Sequence, residues 1–238
     1  MKYIKFAQIS ADTGVSWAIA QPVSGPSWPN IAGLNLNETV QLAHSPVYYL
    51  GKVSDSAEFD PDNHIFELTQ EQYAEELKAH VLHHINRERD SVYQQEYDFR
   101  NSVFSRYHDT ASIAGVYKYE QALALLDDPT ADAYDVRAEA EARGVDAEVI
   151  AQRIVANHED FRAKEAKIAG IRGKVMDRLN GFAFDMTDPD GSYAEYVSQE
   201  VIGTRTETAF EDGQMVEKEV DVTVGKYSLS LSARFQYG

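Results

Sequence analysis

Residues 133–179 constrain the fold of this 238-residue chain more than any other stretch. An Ala-rich segment ends at Arg143-Gly144, where the glycine predicts a left-handed helix stop, and Asp146 then provides a good N-cap for another helix. Apolar residues recur on one face of that helix: Val149, Ile150, Ile154, Phe161, Ile168, Ile171, Val175 and Leu179. Asn180-Gly181 is predicted to end it. Because so long a helix cannot bury this stripe alone, we expect it to pack in a hairpin or bundle.

A second long helix is predicted to begin at Thr69, since residues 69–72 have the Thr-x-x-Gln pattern of a capping box. Its apolar stripe consists of Tyr73, Leu77, Val81 and Ile85, with Leu82 beside them. The pattern continues through Tyr93, Tyr97 and Phe104, which we expect in the core. We expect a break from Tyr107 to Thr110. The helical pattern resumes over residues 113–126 and ends at the Asp-Asp-Pro of 127–129.

The first 68 residues are predicted to contain strands and loops. A strand begins at Tyr3, and the turn signal at residues 12–14 followed by an apolar return over 15–20 predicts a hairpin. Apolar runs near residues 40–42 and 47–53 predict further strands, and residues 60–63 form a turn signal. We expect a small N-terminal β-meander.

The C-terminal part is also predicted to be β-rich, from about residue 190. Residues 210–214 form a hairpin turn signal, and Val220, Val222 and Val224 alternate with polar residues. Apolar and polar residues alternate again from Tyr227 to Tyr237, which predicts a terminal strand with one buried face. The favoured interpretation is that this strand closes the protein's own sheet. The alternative is that it adds to the sheet edge of a neighbouring subunit.

These patterns together predict an α+β protein. Its three segments are an N-terminal β-meander over residues 1–68, a central long-helix bundle or hairpin over 69–181, and a C-terminal β-meander over 182–238.

The charge balance limits the partners that this chain is expected to have. Its 22 basic against 39 acidic residues give a formal net charge of −17, which argues against nucleic acid and anionic membranes and favours a basic protein partner. The absence of cysteine excludes disulfides, thiolate catalysis and Cys-based zinc sites. No apolar run approaches membrane-spanning length. A signal peptide is rejected because polar residues interrupt the apolar region after Lys5.

Three residue groups resemble functional sites, and each has a more favoured structural interpretation. His80 and His84 share a helix face with Glu76 and Glu88, but a solvated face is favoured, since Val81 replaces the Glu of a zinc-protease motif. The acidic residues at 185–190 are predicted to form a turn rather than a cation site. The glycines of residues 170–174 are predicted to let two helices approach closely rather than bind phosphate. We therefore predict no catalytic residue, cofactor or metal.

The candidate partner interface combines aromatic residues of the helices with the apolar face of the terminal segment. Its members are Tyr107, Tyr117, Tyr119, Leu229, Leu231, Phe235 and Tyr237.

The helical segment also carries a family resemblance. The Ala-rich helix ending in Arg143-Gly144, the apolar-periodic helix and the Ala/Gly/Arg-rich finish after Ile168 resemble a helical module found towards the C-terminus of many small bacteriophage tail and tail-fibre-associated proteins. The resemblance implies a non-enzymatic virion component of the tail, baseplate or fibre attachment. Such a protein is made in the host cytoplasm, forms a homo-oligomer and binds other phage tail proteins.

Two alternatives remain open at this stage. The first is a tail or tail-fibre assembly chaperone that is absent from the mature virion. Small members of the family often end at the helical module, so the extra C-terminal segment favours a structural part over a chaperone. The second alternative, from another class, is a metal-dependent enzyme that uses His80 and His84.

Overall fold

The computed structural model of this α+β protein describes residues 1–7, 34, 39–45, 48–58, 65–107, 110, 112–211 and 214–238. The predicted hairpin at 12–20 and the predicted turn at 60–63 lie outside the described residues. The chain forms two compact units. Unit 1 comprises Met1–Asp90, Leu179–Gln199 and Gly225–Tyr227, and unit 2 comprises Ser91–Arg178, Glu200–Val224 and Ser228–Gly238. The division at residues 68 and 181 stays a prediction.

Unit 1 is built on a four-stranded sheet. Its strands are β1 (Lys2–Ala7), β2 (Val40–Gln41), β3 (Tyr48–Val53) and β4 (Ile65–Leu68), in the order β2-β3-β1-β4. The pairings are antiparallel, and β1 lies between β3 and β4. The strands expected near residues 3, 40 and 48 are therefore confirmed. Strand β4 was missed because Ile-Phe-Glu-Leu is too short to establish an alternation.

Helix α1 (Gln70–Phe104) begins as its sequence predicts. The backbone N–H of Thr69 donates to Gln72 at 2.9 Å, and the N–H of Gln72 donates to Thr69 Oγ1 at 3.1 Å, which confirms the capping box. The predicted stripe is buried at Tyr73, Leu77, Val81 and Ile85. Its first two members pack on the sheet with Leu42 and Leu50.

In its second half, which lies in unit 2, α1 departs from the prediction. Tyr93 and Tyr97 are 63% and 61% exposed, so their assignment to the core was wrong. The buried positions are taken by Val92 and Glu96 instead. The Glu96 carboxylate accepts hydrogen bonds from Arg100 at 2.9 Å and from Arg172 at 2.8 Å. Burial alone raises the pKa of Glu96, but these two hydrogen bonds outweigh it and lower the pKa.

The helical pattern is interrupted earlier than the predicted break at Tyr107–Thr110, since α1 ends at Phe104 and a 3₁₀ turn (Ser105–Tyr107) follows it. Residues 108 and 109 of the predicted break lie outside the described residues. Phe104 is half-buried against Phe161, with ring centroids 5.0 Å apart. Helix α2 (Ile113–Asp127) then starts at the N-cap Ser112 and stops before Pro129.

Helices α3 (Tyr134–Arg143) and α4 (Ala147–Gly181) confirm the helix–stop–helix prediction. Gly144 has a φ of 65°, and Asp146 accepts the N–H of Glu148 at 2.9 Å. A small core joins α2, α3 and the start of α4: Ala122, Leu125, Ala133, Val136, Ala140, Ile150 and Ala151. Val149, however, is exposed, so the buried stripe of α4 starts one residue later than predicted.

The glycines of α4 do not have the predicted role. A β-carbon at Gly170 or Gly173 would meet no atom of the described residues within 4 Å. The expectation that they allow close helix contact was therefore wrong. Both lie on a different side of α4 from the buried Ile168 and Val175.

A helix replaces the strand expected just after residue 190. Helix α5 (Pro189–Val197) is capped by Asp188, which accepts the N–H of Gly191 at 3.0 Å. Proline at the first helical position after an Asp cap is a start signal that sequence reasoning read only as a turn. The hairpin that follows, β5 (Gln199–Glu211) and β6 (Gln214–Gly225), agrees with the predicted turn and with the alternation at residues 220–224.

The predicted terminal strand over residues 227–237 was wrong, because Leu231–Tyr237 form helix α6. Ser230 adopts a left-handed conformation, with φ 38°, and redirects the chain. The buried residues of α6 are Leu231 and Arg234, three positions apart, as on a helix face. None of the helices in the described ranges is long and apolar enough to cross a membrane.

Candidate functional site

The β5–β6 hairpin is the most exposed regular element of the described chain. It forms a two-stranded sheet, and neither outer edge pairs with another described strand. Strands of 13 and 12 residues each extend about 40 Å at ~3.4 Å per residue. Every residue over 204–208 and 214–219 is exposed. Because an isolated hairpin is only marginally stable in water and open edges accept further strands, this arm suits strand addition.

The side chains at the end of this arm are also unusual for a solvated surface. Phe210 is 71% exposed and Met215 is 67% exposed, on either side of the connection between the strands. In sequence, acidic residues outnumber basic ones along β5 and β6: Glu200, Glu207, Glu211, Glu217, Glu219 and Asp221 against Arg205 and Lys218. The end of the arm thus offers apolar contact area, and its flanks offer negative charge.

The base of the arm is anchored within unit 2. The Glu200 carboxylate accepts hydrogen bonds from Arg178 and from Arg234. Burial alone raises the pKa of Glu200, but the two guanidinium groups outweigh it and lower the pKa. Helix α6 lies directly on β5 three residues further along. The backbone of Tyr237 approaches Gly203 so closely that a β-carbon at this position would overlap the carbonyl oxygen of Tyr237. A fixed base and an exposed end are the properties of a docking arm.

The terminal members of the predicted interface are buried or half-buried by contacts within the chain. Leu229 and Leu231 are buried. Phe235 packs edge-on against Phe99, with ring centroids 5.3 Å apart, and Tyr237 is half-buried beside Gly203. The alternating pattern was a correct indication of burial but a wrong indication of a strand.

The tyrosines of the predicted interface are in three different environments. Tyr107 is buried, its hydroxyl donates to Asp160, and Lys164 donates to that hydroxyl at 2.7 Å. Tyr119 stacks on His158, with ring centroids 3.9 Å apart. Tyr117 is 60% exposed. Of the seven predicted residues, only Tyr117 presents most of its side chain to solvent, and the interface itself stays a prediction.

Tyr117 belongs to a wider apolar face of α2, whose residues the helical pattern included but whose exposure it did not predict. Ile113 is 78% exposed, and Val116 and Leu123 are also exposed on the same side of the helix. The opposite side holds the buried Ala122 and Leu125. The sequence signal for this exposed face was the presence of apolar residues on both sides of α2, since a surface helix normally has one apolar stripe.

His80 and His84 do not lie on a solvated face, contrary to the sequence interpretation, whereas His83 is exposed. His80 is buried, and its Nδ1 accepts the backbone N–H of Ala43 at 3.0 Å. Burial, followed by the nearby His84 and His44, lowers the pKa of His80 to about 4. Burial also lowers the pKa of the half-buried His84.

Glu76, four residues before His80, is already paired with other side chains. Its carboxylate pairs with Lys5 and with His44 Nε2, the latter at 3.0 Å. Burial alone raises the pKa of Glu76, but these hydrogen bonds outweigh it and lower the pKa. In the described ranges, no group of three or more His, Cys, Asp or Glu residues is arranged to hold a metal ion.

Comparison with known protein families, with curated proteins and with solved structures gives no match to this chain. The functional interpretation therefore depends on the residues and surfaces described above.

Proposed function

We propose that this protein is a non-enzymatic structural protein of a bacteriophage tail, located at the baseplate, tail tip or fibre attachment, and that it acts by protein–protein assembly. The exposed β5–β6 arm is the observation that carries the assembly role. The resemblance of residues 133–179 to a phage tail helical module supports the choice of particle. The proposed partners are other tail proteins and further copies of this chain.

In the proposed assembly, an edge of the arm pairs with a strand of a neighbouring subunit. Main-chain hydrogen bonds along the edge give affinity, and side-chain pockets in the neighbour give specificity. Phe210 and Met215 would each stabilise the assembly by roughly 1.5–3 kcal/mol through the hydrophobic effect when buried against the partner. The acidic flanks favour a partner strand with basic residues, because charge complementarity fixes the partner and speeds its encounter.

The test is a phage whose gene for this protein carries Phe210→Ser and Met215→Ser together. Both side chains are already exposed, so the isolated variant is expected to fold with wild-type stability. We expect electron micrographs to show particles with missing or incomplete tails or fibres. The matched control is Tyr97→Ser, which removes a similarly exposed aromatic side chain outside the arm. Complete, infectious particles from the double variant would contradict the proposed role of the arm.

Self-association is tested separately by light scattering on the purified chain over a range of concentrations. A symmetric tail component is expected to give a discrete oligomer. A monomer at every concentration would remove the homo-oligomer from the proposal and leave assembly with other tail proteins.

A further inference from the structure

Unit 2 contains a cleft of about 590 Å³ between α2, α3 and α4. This volume is within the range of about 300–1,000 Å³ that is typical of small-molecule sites. Its walls come from three separate helices, and its lining is partly polar and partly apolar. The proposed tail function does not use this cleft.

Helix geometry explains how the lining groups come together. Ile150, Arg153, Ile154, Asn157 and His158 are spaced at i, i+3, i+4, i+7 and i+8, so they share one face of α4. From the facing helices come Lys118 of α2 and the i, i+4 pair Glu139 and Arg143 of α3.

The charges of the cleft do not balance. The Glu139 carboxylate is shared by Lys118, at 3.0 Å, and Arg143, at 2.7 Å. Arg153 forms no hydrogen bond or ion pair with any residue that the structure describes. The described lining therefore has three cations for one carboxylate, in a chain whose net charge is −17. A cleft with an excess of one charge attracts ligands of the opposite charge.

His158 provides an independent observation. Its Nδ1 is buried and has no hydrogen-bond partner among the described residues, while its ring stacks on Tyr119 at an interplanar angle of 14°. Buried polar atoms in native proteins nearly always have a partner, because leaving one without is unfavourable. An unsatisfied nitrogen in the wall of a cationic cleft therefore points to a ligand that completes it.

We propose that this cleft binds a small molecule that carries a phosphate or carboxylate group. The guanidinium of Arg153 pairs with the oxyanion, for which its planar arrangement of donors is suited. Nδ1 of His158 forms a hydrogen bond to the same ligand. The side chain of Ile154 contacts the apolar part of the ligand.

Isothermal titration calorimetry on the full chain, in a chloride buffer free of other oxyanions, tests the proposal. The probes are inorganic pyrophosphate and citrate, which separate phosphate from carboxylate as the preferred group. Saturable 1:1 binding of at least one probe is expected, and Arg153→Gln is expected to weaken it by about tenfold or more. The control is Arg162→Gln, which removes an exposed arginine of α4 outside the cleft. Absence of binding by both probes up to millimolar concentration, or equal weakening in both variants, would overturn the proposal.

A second variant separates a ligand role from a structural role of His158. His158→Phe keeps an aromatic ring against Tyr119 but removes the unsatisfied nitrogen. We expect an unchanged or higher Tm without ligand, because a buried unsatisfied group is lost, and at least about tenfold weaker probe binding. Wild-type binding by this variant would show that Nδ1 does not contact the ligand and would contradict the proposed site.

Discussion

Protonation of His80 is expected to destabilise unit 1 between pH 6.5 and about 4. In the folded protein the imidazole is buried and its Nδ1 accepts the N–H of Ala43, so a proton on that nitrogen removes the hydrogen bond. The pKa of His80 is lowered to about 4 from the 6.5 of an exposed histidine. Above pH 6.5 the ring is neutral in both the folded and the unfolded state, and its contribution to stability is complete. As the pH falls, the unfolded state binds the proton first, and stability is lost until about pH 4.

The size of this loss follows from the two pKa values. One unit of difference in pKa corresponds to ~1.4 kcal/mol. The difference between 6.5 and about 4 therefore sets an upper limit of about 3 kcal/mol on the loss of stability. We expect about 2 kcal/mol between pH 7.5 and pH 4.5, because pH 4.5 lies above the folded-state pKa of about 4 and the loss is not yet complete there. His84 is expected to add to the loss in the same direction, since its pKa is also lowered by burial.

The assay is urea unfolding at pH 7.5 and pH 4.5, followed through hydrogen exchange of the β1 and β3 amides, which report on unit 1. The variant is His80→Asn, whose side-chain oxygen replaces Nδ1 as acceptor for Ala43 and does not titrate. Between pH 7.5 and pH 4.5, we expect the free energy of unfolding of His80→Asn to fall by about 2 kcal/mol less than that of the wild type. The comparison variant is His83→Asn, which removes an exposed histidine of the same helix. Its charge is the last of the causes that lower the pKa of His80, so we expect it to change the pH dependence much less than His80→Asn does. Identical pH dependence in wild type and His80→Asn would refute the argument.

Three further predictions concern stability and are measured by thermal and urea unfolding. Gly203→Ala is expected to lower the free energy of unfolding by about 1–3 kcal/mol, because the new methyl group overlaps the backbone of α6; an unchanged Tm would show that α6 does not lie on β5. Glu96→Ala leaves Arg100 and Arg172 without their shared carboxylate and should cost about 1–3 kcal/mol, whereas Glu159→Ala, at an exposed position of α4, should be nearly neutral. Gly144→Val forces a β-branched residue to a φ of 65° and should cost at least about 1–2 kcal/mol; equal stability would mean that the helix stop is not left-handed.

The features that the sequence predicted correctly depend on local chemistry. The capping box at Thr69, the left-handed Gly144 and the cap at Asp146 each involve atoms only a few residues apart. The stripe from Tyr73 to Ile85 is also local, because one helix face sets it. Such signals do not need the tertiary fold to be known.

The errors arise where contacts between distant residues decide the outcome. Glu96 replaces the predicted aromatic core because Arg172, 76 residues later, pairs with it. His80 is buried because Ala43, on a loop of unit 1, donates to it. In the terminal segment, Leu231 and Phe235 fit a period of two and also the i, i+4 spacing of a helix.

The candidate sites were only partly predictable for the same reason. The turn signal at residues 210–214 indicated the hairpin, but the exposure of its edges depends on where the other strands lie. The cleft of unit 2 could not be found from local patterns, since Lys118, Glu139 and Arg153 belong to three helices. Only the fold brings these charges together.

The most direct test of the proposed tail function is quantitative mass spectrometry of purified particles of the proposed phage. The proposal predicts that the protein is present at a fixed, integral number of copies relative to a known tail component. Its absence from purified particles, together with its presence in infected cells, would contradict a structural role and support the assembly-chaperone alternative.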